Sequence, residues 1–443
     1  MTLTGKNIAV LGLGASGRGA ARLALSRSAA VTLFDSGSGE KLAATASELR
    51  GEGIAVELGV SAKPADASFD FAVLSPGIDP ARALPRSFAE AGVKVMGEIE
   101  FAWLQQDRPM VAITGTNGKS TTTELVARVL TAGGLRTLPA GNHGRAFSDV
   151  VWAREPLDVH TLEVSSFQLE TIESFRPRVA LWMNFAPDHL DRYPDVDAYF
   201  AAKARIFENQ TAEDTAIVKL EDRRSEPLAA RVVTFSAYSP GADFGLEDGW
   251  IVYRGERILD FSETQLRGRH NAENVMAALA AGRALGLEWA VMAGAVRDYR
   301  APRHRCELAG VVQGREFIDD SKATNLHALE SCLRALPAPV VLIAGGKDKG
   351  LDFSPLRELV SRMATHVLAI GQVRLHLAEV WQGAAPVEPC ESLEAAVARA
   401  LEVSRPGQTI LLSPGTSSFD MFSGYEERGE RFVQAVRHLS SQA

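Results

Sequence analysis

The chain has 443 residues, more than one hydrophobic core usually accommodates, so its length predicts roughly two to four domains. An apolar fraction of 46% is typical of a globular protein, and a formal net charge of −8 at pH 7 excludes a general attraction to nucleic acid or anionic membranes. The three cysteines are scattered, so neither a disulfide framework nor a zinc site is predicted; we expect buried thiols in a reducing cytoplasm. No apolar run reaches the roughly 18 residues of a membrane span.

The first predicted elements form a βαβ unit. An apolar strand over 7–11 opens into Gly12-Leu-Gly-Ala-Ser-Gly17, a helix continues to about Ser26, and a second strand ends at Asp35. This glycine spacing is typical of a turn that lets the backbone approach a diphosphate. Three interpretations remain open: a nicotinamide or flavin cofactor, the diphosphate of a nucleotide sugar, or a turn with a structural role only.

A third strand is predicted over 71–74, and it ends in the glycine turn Ser75-Pro-Gly-Ile78. Open α/β sheets bind ligands at such strand ends. A connecting helix over 97–105 then places a domain boundary near residue 97.

A phosphate-binding loop is predicted next. A strand over 110–113 runs into Gly115-Thr-Asn-Gly-Lys-Ser-Thr121, and good helix formers follow from Thr122 to Leu130. Backbone N–H groups at a helix N-terminus, the Lys119 ammonium and the Ser120 hydroxyl suit a nucleoside triphosphate with Mg²⁺. Ile113 stands where the longer form of the motif has its first glycine. The alternative is a plain strand-to-helix turn, which would need neither the lysine nor the hydroxyls.

Further polar groups follow the next strands. A strand over 159–163 ends at Glu163, which could share Mg²⁺ with Ser120 or simply complement a helix dipole. Another strand, over 179–184, leads into a loop in which His189 is either a metal ligand or an ordinary loop histidine.

A helix over 195–209 is predicted to place Lys203 within an apolar stripe formed by Val196, Phe200 and Phe207. A buried ammonium is costly, so this lysine must reach solvent, pair with an acid or lose its charge. A neutral amine there could add CO₂ and become a carbamate, which would supply oxygen ligands to a metal. Both outcomes, a snorkelling lysine and a carbamate, stay open.

Strands over 216–218 and 232–235 and a hairpin over 250–259 complete the central segment. Gly268-Arg-His-Asn-Ala-Glu-Asn274 then enters an alanine-rich helix, where Asn271 and Asn274 could read an adenine edge or simply cap and pack. A second linker is predicted at Arg300-Ala-Pro302.

The last segment alternates strands and helices and predicts a second open-sheet α/β domain. Its strands are expected over 317–319, 340–344, 366–370 and 409–412. Polar loops follow three of them, at 320–325, 345–350 and 413–422, and would form a small-molecule site at one sheet edge. Lys322 and Lys349 would suit an acidic substrate there, or they are solvated surface lysines.

The motifs occur in the order found in Mur ligases, and the chain resembles that family over nearly its whole length. The run Asp320-Ser-Lys-Ala-Thr-Asn325 is the discriminating piece, because it resembles the members that add D-glutamate. The resemblance implies three domains: a Rossmann-like UDP-binding domain over 1–97, a central ATP-binding P-loop domain with a mostly parallel sheet over 98–302, and a Rossmann-like D-glutamate-binding α/β domain over 303–443.

The resemblance also implies roles for individual residues. Those expected around ATP are Gly115, Thr116, Asn117, Gly118, Lys119, Ser120, Thr121, Asn142, Asn271, Asn274, His304, Arg305 and Asp320. Those expected around the UDP substrate are Gly14, Ala15, Ser16, Asp35, Ser36, Gly77, Asn142 and His189. Those expected around D-glutamate are Lys322, Thr324, Lys349 and Ser418. Two Mg²⁺ ions are expected, one at Ser120 and Glu163 and one at His189 and a carboxylated Lys203, and Lys119, Glu163, His189 and Lys203 are the expected catalytic residues.

The implied reaction is ATP-dependent addition of D-glutamate to UDP-N-acetylmuramoyl-L-alanine through an acyl phosphate, in peptidoglycan precursor synthesis, by a cytoplasmic monomer without nucleic-acid or membrane partners. One alternative is a nicotinamide-dependent oxidoreductase built on the first glycine turn, which leaves the phosphate loop unexplained. The other is a non-catalytic regulatory protein in which ATP drives closure only.

Overall fold

The structure is a computed structural model that describes residues 1–64, 68–189, 192–224, 227–300, 303–336 and 338–442. The chain divides into two compact units. The first comprises Met1–Phe261 and Glu273–Arg297, and the second comprises Ser262–Ala272 and Asp298–Ala443. The predicted linker at Arg300-Ala-Pro302 lies partly outside the described residues, and so does the predicted boundary after residue 302.

The first unit begins with a parallel sheet of order β3-β2-β1-β4-β5 among the described residues. Its strands are β1 (Asn7–Leu11), β2 (Ala30–Asp35), β3 (Ala55–Leu58), β4 (Phe71–Leu74) and β5 (Lys94–Gly97). The accompanying helices are α1 (Ala15–Ser26), α2 (Glu40–Gly51), α3 (Ala83–Glu90) and α4 (Glu98–Trp103). β1 and β4 are almost wholly buried, as expected of parallel strands covered on both faces.

A larger sheet follows in the same unit, with the order β14-β13-β12-β11-β10-β9-β6-β8-β7 in the described part of the chain. Its strands are β6 (Met110–Thr114), β7 (Pro139–Gly141), β8 (His160–Glu163), β9 (Val179–Trp182), β10 (Thr215–Lys219), β11 (Arg231–Ser236), β12 (Phe244–Glu247), β13 (Trp250–Tyr253) and β14 (Glu256–Asp260). The pairs from β7 to β12 are parallel, and β13 and β14 add antiparallel strands at one edge.

The helices of this part are α5 (Lys119–Ala132), α6 (Phe147–Ala153), α7 (Ser166–Leu169), α8 (Val196–Ala204), α9 (Arg269–Ala284) and α10 (Trp289–Arg297). The first turn of α9 belongs to the second unit and the rest to the first. Buried residues of α1, α4 and α6 join one hydrophobic cluster that also contains residues of both sheets. The division at residue 97 stays a prediction, although β5 ends there.

The second unit contains a sheet of order β15-β16-β20-β17-β18-β19 within the described ranges, parallel except for the β15–β16 pair. Its strands are β15 (Glu307–Val312), β16 (Arg315–Asp319), β17 (Val340–Gly345), β18 (Ala364–Ile370), β19 (Val387–Pro389) and β20 (Thr409–Leu412). Its helices are α11 (Leu326–Ala335), α12 (Arg357–Met363), α13 (Arg374–Val380), α14 (Leu393–Val403) and α15 (Tyr425–Gln442). Hydrophobic clusters pack on both faces of this sheet, which is why β17 is buried along its whole length.

The predicted α/β class with parallel-rich sheets and several domains is confirmed, and the predicted strands have counterparts. Three predicted elements were too long. The helix over 195–209 ends at Ala204 and continues only as a 3-10 turn, Arg205–Phe207. The strand over 179–184 ends at Trp182, and the connecting helix over 97–105 covers Glu98–Trp103. Among the described residues, no helix is both long enough and apolar enough to cross a membrane.

Candidate functional site

The loop between β6 and α5 has the backbone shape of a phosphate-binding turn. Gly115 has φ of 145° and Gly118 has φ of 80°, both in a region that favours glycine. A Cβ on Gly115 would lie 3.1 Å from the backbone nitrogen of Asn184, and one on Gly118 would lie 2.5 Å from Asn274 Oδ1. α5 begins at Lys119, so the N–H groups of its first turn face the loop.

Asn184 holds this loop in place. Its Oδ1 accepts a hydrogen bond from Asn117 N at 2.8 Å, its Nδ2 donates to Asn117 O at 3.0 Å, and its carbonyl accepts from Thr116 N at 2.9 Å. Sequence reasoning missed this residue. The available signal was its position two residues beyond β9, the strand beside β6, where a side chain reaches the neighbouring loop.

Lys119 lies over the loop and donates from Nζ to the carbonyls of Gly115 at 3.0 Å and Thr116 at 2.9 Å. Thr121 is buried on the first turn of α5. The loop therefore combines an ammonium group, a helix N-terminus and the Ser120 hydroxyl, which is the donor set for a polyphosphate.

Glu163, at the end of β8, is buried and lies near Ser120. Asn142 Nδ2 donates to its Oε1 at 2.8 Å, while Oε2 is buried with no hydrogen-bond partner among the described residues. Burial alone would raise the pKa of Glu163, but Lys119, the Asn142 amide and the nearby Ser120 hydroxyl outweigh it and hold the pKa below its usual value. An ionised carboxylate with one unpartnered oxygen beside a hydroxyl fits a hard divalent cation such as Mg²⁺.

Lys203 is 2% exposed, so the snorkelling interpretation is wrong. Its Nζ donates to Gly115 O at 2.9 Å and lies 4.7 Å from the centre of the Tyr199 ring. Burial, aided by repulsion from Lys119, holds the pKa of Lys203 well below its usual value, which favours the neutral amine.

The predicted stripe around Lys203 is confirmed in part, because Phe200 and Phe207 pack against the Trp182 cluster. The most buried side chains of this stretch are Tyr199, Ala202, Lys203 and Ile206. Val196, Phe200 and Phe207 are only partly buried. The most buried face of the helix is therefore centred on Tyr199 and Ala202, and Lys203 lies on this face as well as on the predicted stripe.

His189 has φ of 56°, a left-handed conformation that is uncommon outside glycine. Its ring packs on Phe167, with centroids 4.9 Å apart, and lies 5.8 Å from Tyr199. Its Nε2 is 3.9 Å from Asp188 Oδ2. Because Asp188 raises the pKa of Lys203, its carboxylate belongs to the same neighbourhood, and it was not among the predicted site residues.

In the first sheet, Asp35 braces the glycine turn. Its Oδ2 accepts from Leu13 N at 2.7 Å and its Oδ1 from Gly37 N at 2.8 Å. A Cβ added at Gly14 or at Gly77 would meet no atom within 4 Å, so both glycines border open space. Ala15 and Ser36 are exposed and Ser16 is partly exposed. The predicted residues are thus assembled at the carboxyl edge of β1, β2 and β4.

The two predicted adenine-binding asparagines have different surroundings. Asn274 is buried, and its Oδ1 accepts from Thr122 Oγ1 at 3.2 Å beside Gly118. This contact places Asn274 against the phosphate loop. Asn271 belongs to the second unit, where its Nδ2 donates to Arg267 O at 2.8 Å.

The second unit brings four predicted residues together at the ends of β16 and β20. His304 Nδ1 lies 2.7 Å from Asp319 Oδ2, and this hydrogen bond raises the pKa of His304. Ser413 Oγ donates to Asp320 Oδ2 at 2.8 Å. Burial raises the pKa of Asp320 to about 6, although the nearby Arg305 guanidinium opposes the rise. The Lys322 Nζ lies 3.6 Å from the centre of the Tyr425 ring.

The other predicted residues of this unit vary in exposure. Ser418 is buried, Thr324 is partly exposed, and Lys349 is exposed on the loop after β17. Sequence reasoning missed Arg428, which is fully buried. It donates to the Ser321 carbonyl at 2.8 Å and to the Thr416 carbonyl at 3.2 Å, and so joins the loops after β16 and β20.

Comparison with known proteins identifies two family models in this chain. The Mur ligase middle domain matches residues 113–282, and the Mur ligase, glutamate ligase domain matches residues 304–415. A protein of Syntrophotalea carbinolica named UDP-N-acetylmuramoylalanine--D-glutamate ligase is 41% identical over 98% of both chains. A protein of the same name from Trichlorobacter lovleyi is 39% identical over 99% of this chain and 100% of its own.

Solved structures show the same fold at low identity. MurF ligase from Thermotoga maritima, crystallised in complex with ADP, has a TM-score of 0.66 at 15% identity and covers 93% of this chain and 96% of its own. UDP-N-acetylmuramate-alanine ligase MurC of Thermotoga maritima has a TM-score of 0.61 at 18% identity, over 98% of this chain and 99% of its own.

Proposed function

The chain belongs to the Mur ligase family, and from that premise we propose that it joins D-glutamate to UDP-N-acetylmuramoyl-L-alanine with cleavage of ATP to ADP and phosphate. Members of this family are ATP-dependent ligases that form a C–N bond. Support for the particular substrates comes from the names of the full-length relatives and from the run Asp320–Asn325.

A carboxylate is a poor electrophile, so the L-alanyl carboxylate must be activated before an amine can attack it. In the proposed reaction a carboxylate oxygen attacks the γ-phosphorus of ATP and ADP leaves. The D-glutamate amine then attacks the acyl carbon, phosphate departs with the transferred oxygen, and the amine loses a proton. The new bond is an amide.

The observation that carries this proposal is the loop from Gly115 to Ser120 beside Glu163. Lys119 and the N–H groups of α5 would hold the phosphates and spread their charge as the phosphoryl group transfers. Ser120 and the unpartnered oxygen of Glu163 would hold one Mg²⁺, and His189 with Lys203 would hold a second. When bound, these ions would neutralise phosphate charge and orient the reacting oxygens.

We assign a carbamate group to the side-chain nitrogen of Lys203. A neutral amine can add CO₂ and release a proton, which converts a buried cation into an anion with two oxygen donors. Its burial, its lowered pKa and its neighbour Lys119 support this assignment, because a carbamate would replace the repulsion between the two lysines by an attraction.

The remaining roles follow the resemblance. The nucleotide-binding residues are assigned as Gly115, Thr116, Asn117, Gly118, Thr121, Asn142 and Asn274 in the first unit and Asn271, His304, Arg305 and Asp320 in the second. The UDP group is assigned to a Rossmann-like fold through Gly14, Ala15, Ser16, Asp35, Ser36 and Gly77, with Asn142 and His189 near the substrate. D-glutamate is assigned to Lys322, Thr324, Lys349 and Ser418. A cytoplasmic monomer is proposed, in keeping with three free thiols.

Phosphate release tests this function. Release should require ATP, Mg²⁺, UDP-N-acetylmuramoyl-L-alanine and D-glutamate together, and L-glutamate should not replace D-glutamate. Lys119→Ala should abolish release, whereas Lys6→Ala, which removes an exposed lysine paired with Asp70 at 2.7 Å, should leave it unchanged. Turnover of ATP without an acceptor, or reduction of a nicotinamide cofactor, would refute the proposal.

A further inference from the structure

Two thiols and a carboxylate meet in the second unit. The Cys306 and Cys332 Sγ atoms are 3.2 Å apart. Each of these residues and Asp320 offers one donor atom, and the three atoms all lie within 4.8 Å of one another. Cys332 and Asp320 are buried, and Cys306 is partly buried.

Three separate elements bring these donors together. Cys306 immediately precedes β15, Asp320 immediately follows β16, and Cys332 lies on α11. The spacing of the cysteines in the sequence predicted no metal site, because the usual motifs place ligands a few residues apart. Pairing of β15 with β16 and packing of α11 create a proximity that this spacing does not reveal.

The thiols of Cys306 and Cys332 favour their protonated form when no cation is bound. The hydrogen bond from Cys306, burial and the Asp320 carboxylate together hold the pKa of Cys332 well above its usual value. For Cys306, the hydrogen bond with Cys332 lowers the pKa, but burial and the Asp320 carboxylate together outweigh it, so the pKa is raised. Two neutral thiols beside a carboxylate avoid the cost of three buried anions, and a cation removes that cost by neutralising them.

We propose that Cys306, Cys332 and Asp320 form a binding site for a soft divalent cation of the Zn²⁺ class. Thiolate ligands select such ions, whereas Mg²⁺ prefers oxygen ligands alone. The ion would replace the two thiol protons, which leave to solvent, and it would take a water molecule as fourth ligand from the partly open side at Cys306. Binding therefore tightens as the pH rises.

The geometry needs only a small adjustment. With an ion about 2.3 Å from each sulfur, the S–metal–S angle would be roughly 90°. Lengthening the distance between the two sulfurs by about 0.5 Å would give the tetrahedral angle. Cys306 lies in a loop before its strand, so this side can move without disturbing α11.

Occupancy of this cysteine site should inhibit the ligase, a consequence that rests on the proposed function. Asp320 accepts a hydrogen bond from Ser413 and is assigned to the nucleotide. A cation held by both thiolates would draw the Asp320 carboxylate toward itself and away from that partner. Micromolar Zn²⁺ should then raise the KM for ATP while excess Mg²⁺ is present.

Cobalt titration tests the site without reference to activity. The full-length protein, reduced and freed of metal, is titrated with Co²⁺ in excess Mg²⁺, which occupies oxygen sites. One Co²⁺ per chain should produce a near-ultraviolet thiolate-to-cobalt band that Zn²⁺ then abolishes. Intact mass before and after confirms that both thiols stay reduced. Absence of the band in the reduced, folded wild type overturns the proposal.

The three cysteines supply matched variants. Cys306→Ser and Cys332→Ser should each lower the Co²⁺ affinity at least tenfold and remove most of the band. If Cys332→Ser folds poorly, Cys306→Ser still tests the site, because it changes the less buried position. Cys390→Ser is the control, because this thiol donates to the Glu388 carbonyl at 3.6 Å and packs in a different hydrophobic cluster from Cys306 and Cys332. Loss of the band in Cys390→Ser alone would contradict the site. Equal Zn²⁺ inhibition of Cys306→Ser and wild type would contradict the inhibitory role even if the band is confirmed.

Discussion

Lys203 shows how burial changes what a residue can do. It is enclosed by the phosphate loop and Tyr199, and it lies near both Lys119 and Asp188. An ammonium group there would face a second cation without full hydration. The neutral amine is therefore the form that the surroundings stabilise, and this form reacts with CO₂.

Replacement of Lys203 by alanine should reduce kcat at least a hundredfold, because the oxygen donors of the proposed carbamate would be lost. Added formate or acetate should restore part of the activity by supplying oxygen donors in the vacated space. Lys219→Ala is the control: it removes another largely buried lysine, paired with Glu273 at 2.9 Å, and short acids should not rescue it. An unimpaired Lys203→Ala enzyme would remove this residue from the mechanism.

Glu98 is a second buried ionisable residue, at the start of α4. Ser148 N donates to its Oε1 at 2.6 Å, but Oε2 has no hydrogen-bond partner among the described residues. Burial raises the pKa of Glu98 from its ordinary 4.5 to about 7. A raised pKa in the folded state contributes stability below pH 4.5, and this contribution is lost as the pH rises through 7.

Glu98→Gln should therefore become more stable relative to the wild type as the pH rises. The difference in unfolding free energy should grow by about 2 to 3 kcal/mol between pH 4.5 and pH 8, as measured by chemical denaturation. Glu57→Gln, which changes an exposed glutamate on β3, is the control for the substitution itself. A constant difference for Glu98→Gln would mean that this carboxyl titrates normally.

At the scale of elements, long apolar strands and glycine turns were predictable because their signals are local. β1, β6, β8 and β17 and the turns after them lie where the sequence indicated. Short strands such as β3, β7 and β19 were missed, because three or four residues are too few to show a periodic pattern.

The site was predictable to a similar degree. Lys119 and Ser120 belong to the phosphate-loop motif, and Glu163 ends a predicted strand. Their positions in the fold could therefore be predicted from the sequence. The role of Arg428 could not be predicted, since this residue acts through contacts distant in the chain, and the two cysteines meet only through folding. Such contacts leave no periodic or spaced pattern.

Arg428 gives a prediction about elements, because it ties together the loops after β16 and β20. Arg428→Ala would leave the buried carbonyls of Ser321 and Thr416 without these donors, so unfolding of the second unit should require about 3 kcal/mol less. Arg431→Ala, on the same helix, removes an exposed ion pair with Glu394 and should cost less than about 1 kcal/mol. Equal losses in urea denaturation would contradict this role.

For the whole molecule, the recurring feature is an α/β sheet with polar loops at its carboxyl edge. The first sheet presents the turn braced by Asp35, the second the phosphate loop, and the third the loops that contain Asp320 and Ser418. Each edge is assigned one of the three substrates of a Mur ligase reaction. If correct, this proposed assignment accounts for the number of sheets and for the position of the polar residues.

Transfer of a labelled oxygen tests the reaction most directly. UDP-N-acetylmuramoyl-L-alanine labelled with ¹⁸O in its L-alanyl carboxylate is incubated with ATP, Mg²⁺, D-glutamate and the protein, and the released phosphate is analysed by mass spectrometry. The acyl-phosphate route predicts that each phosphate carries one oxygen from that carboxylate. Unlabelled phosphate alongside amide product would contradict activation of the carboxylate by ATP.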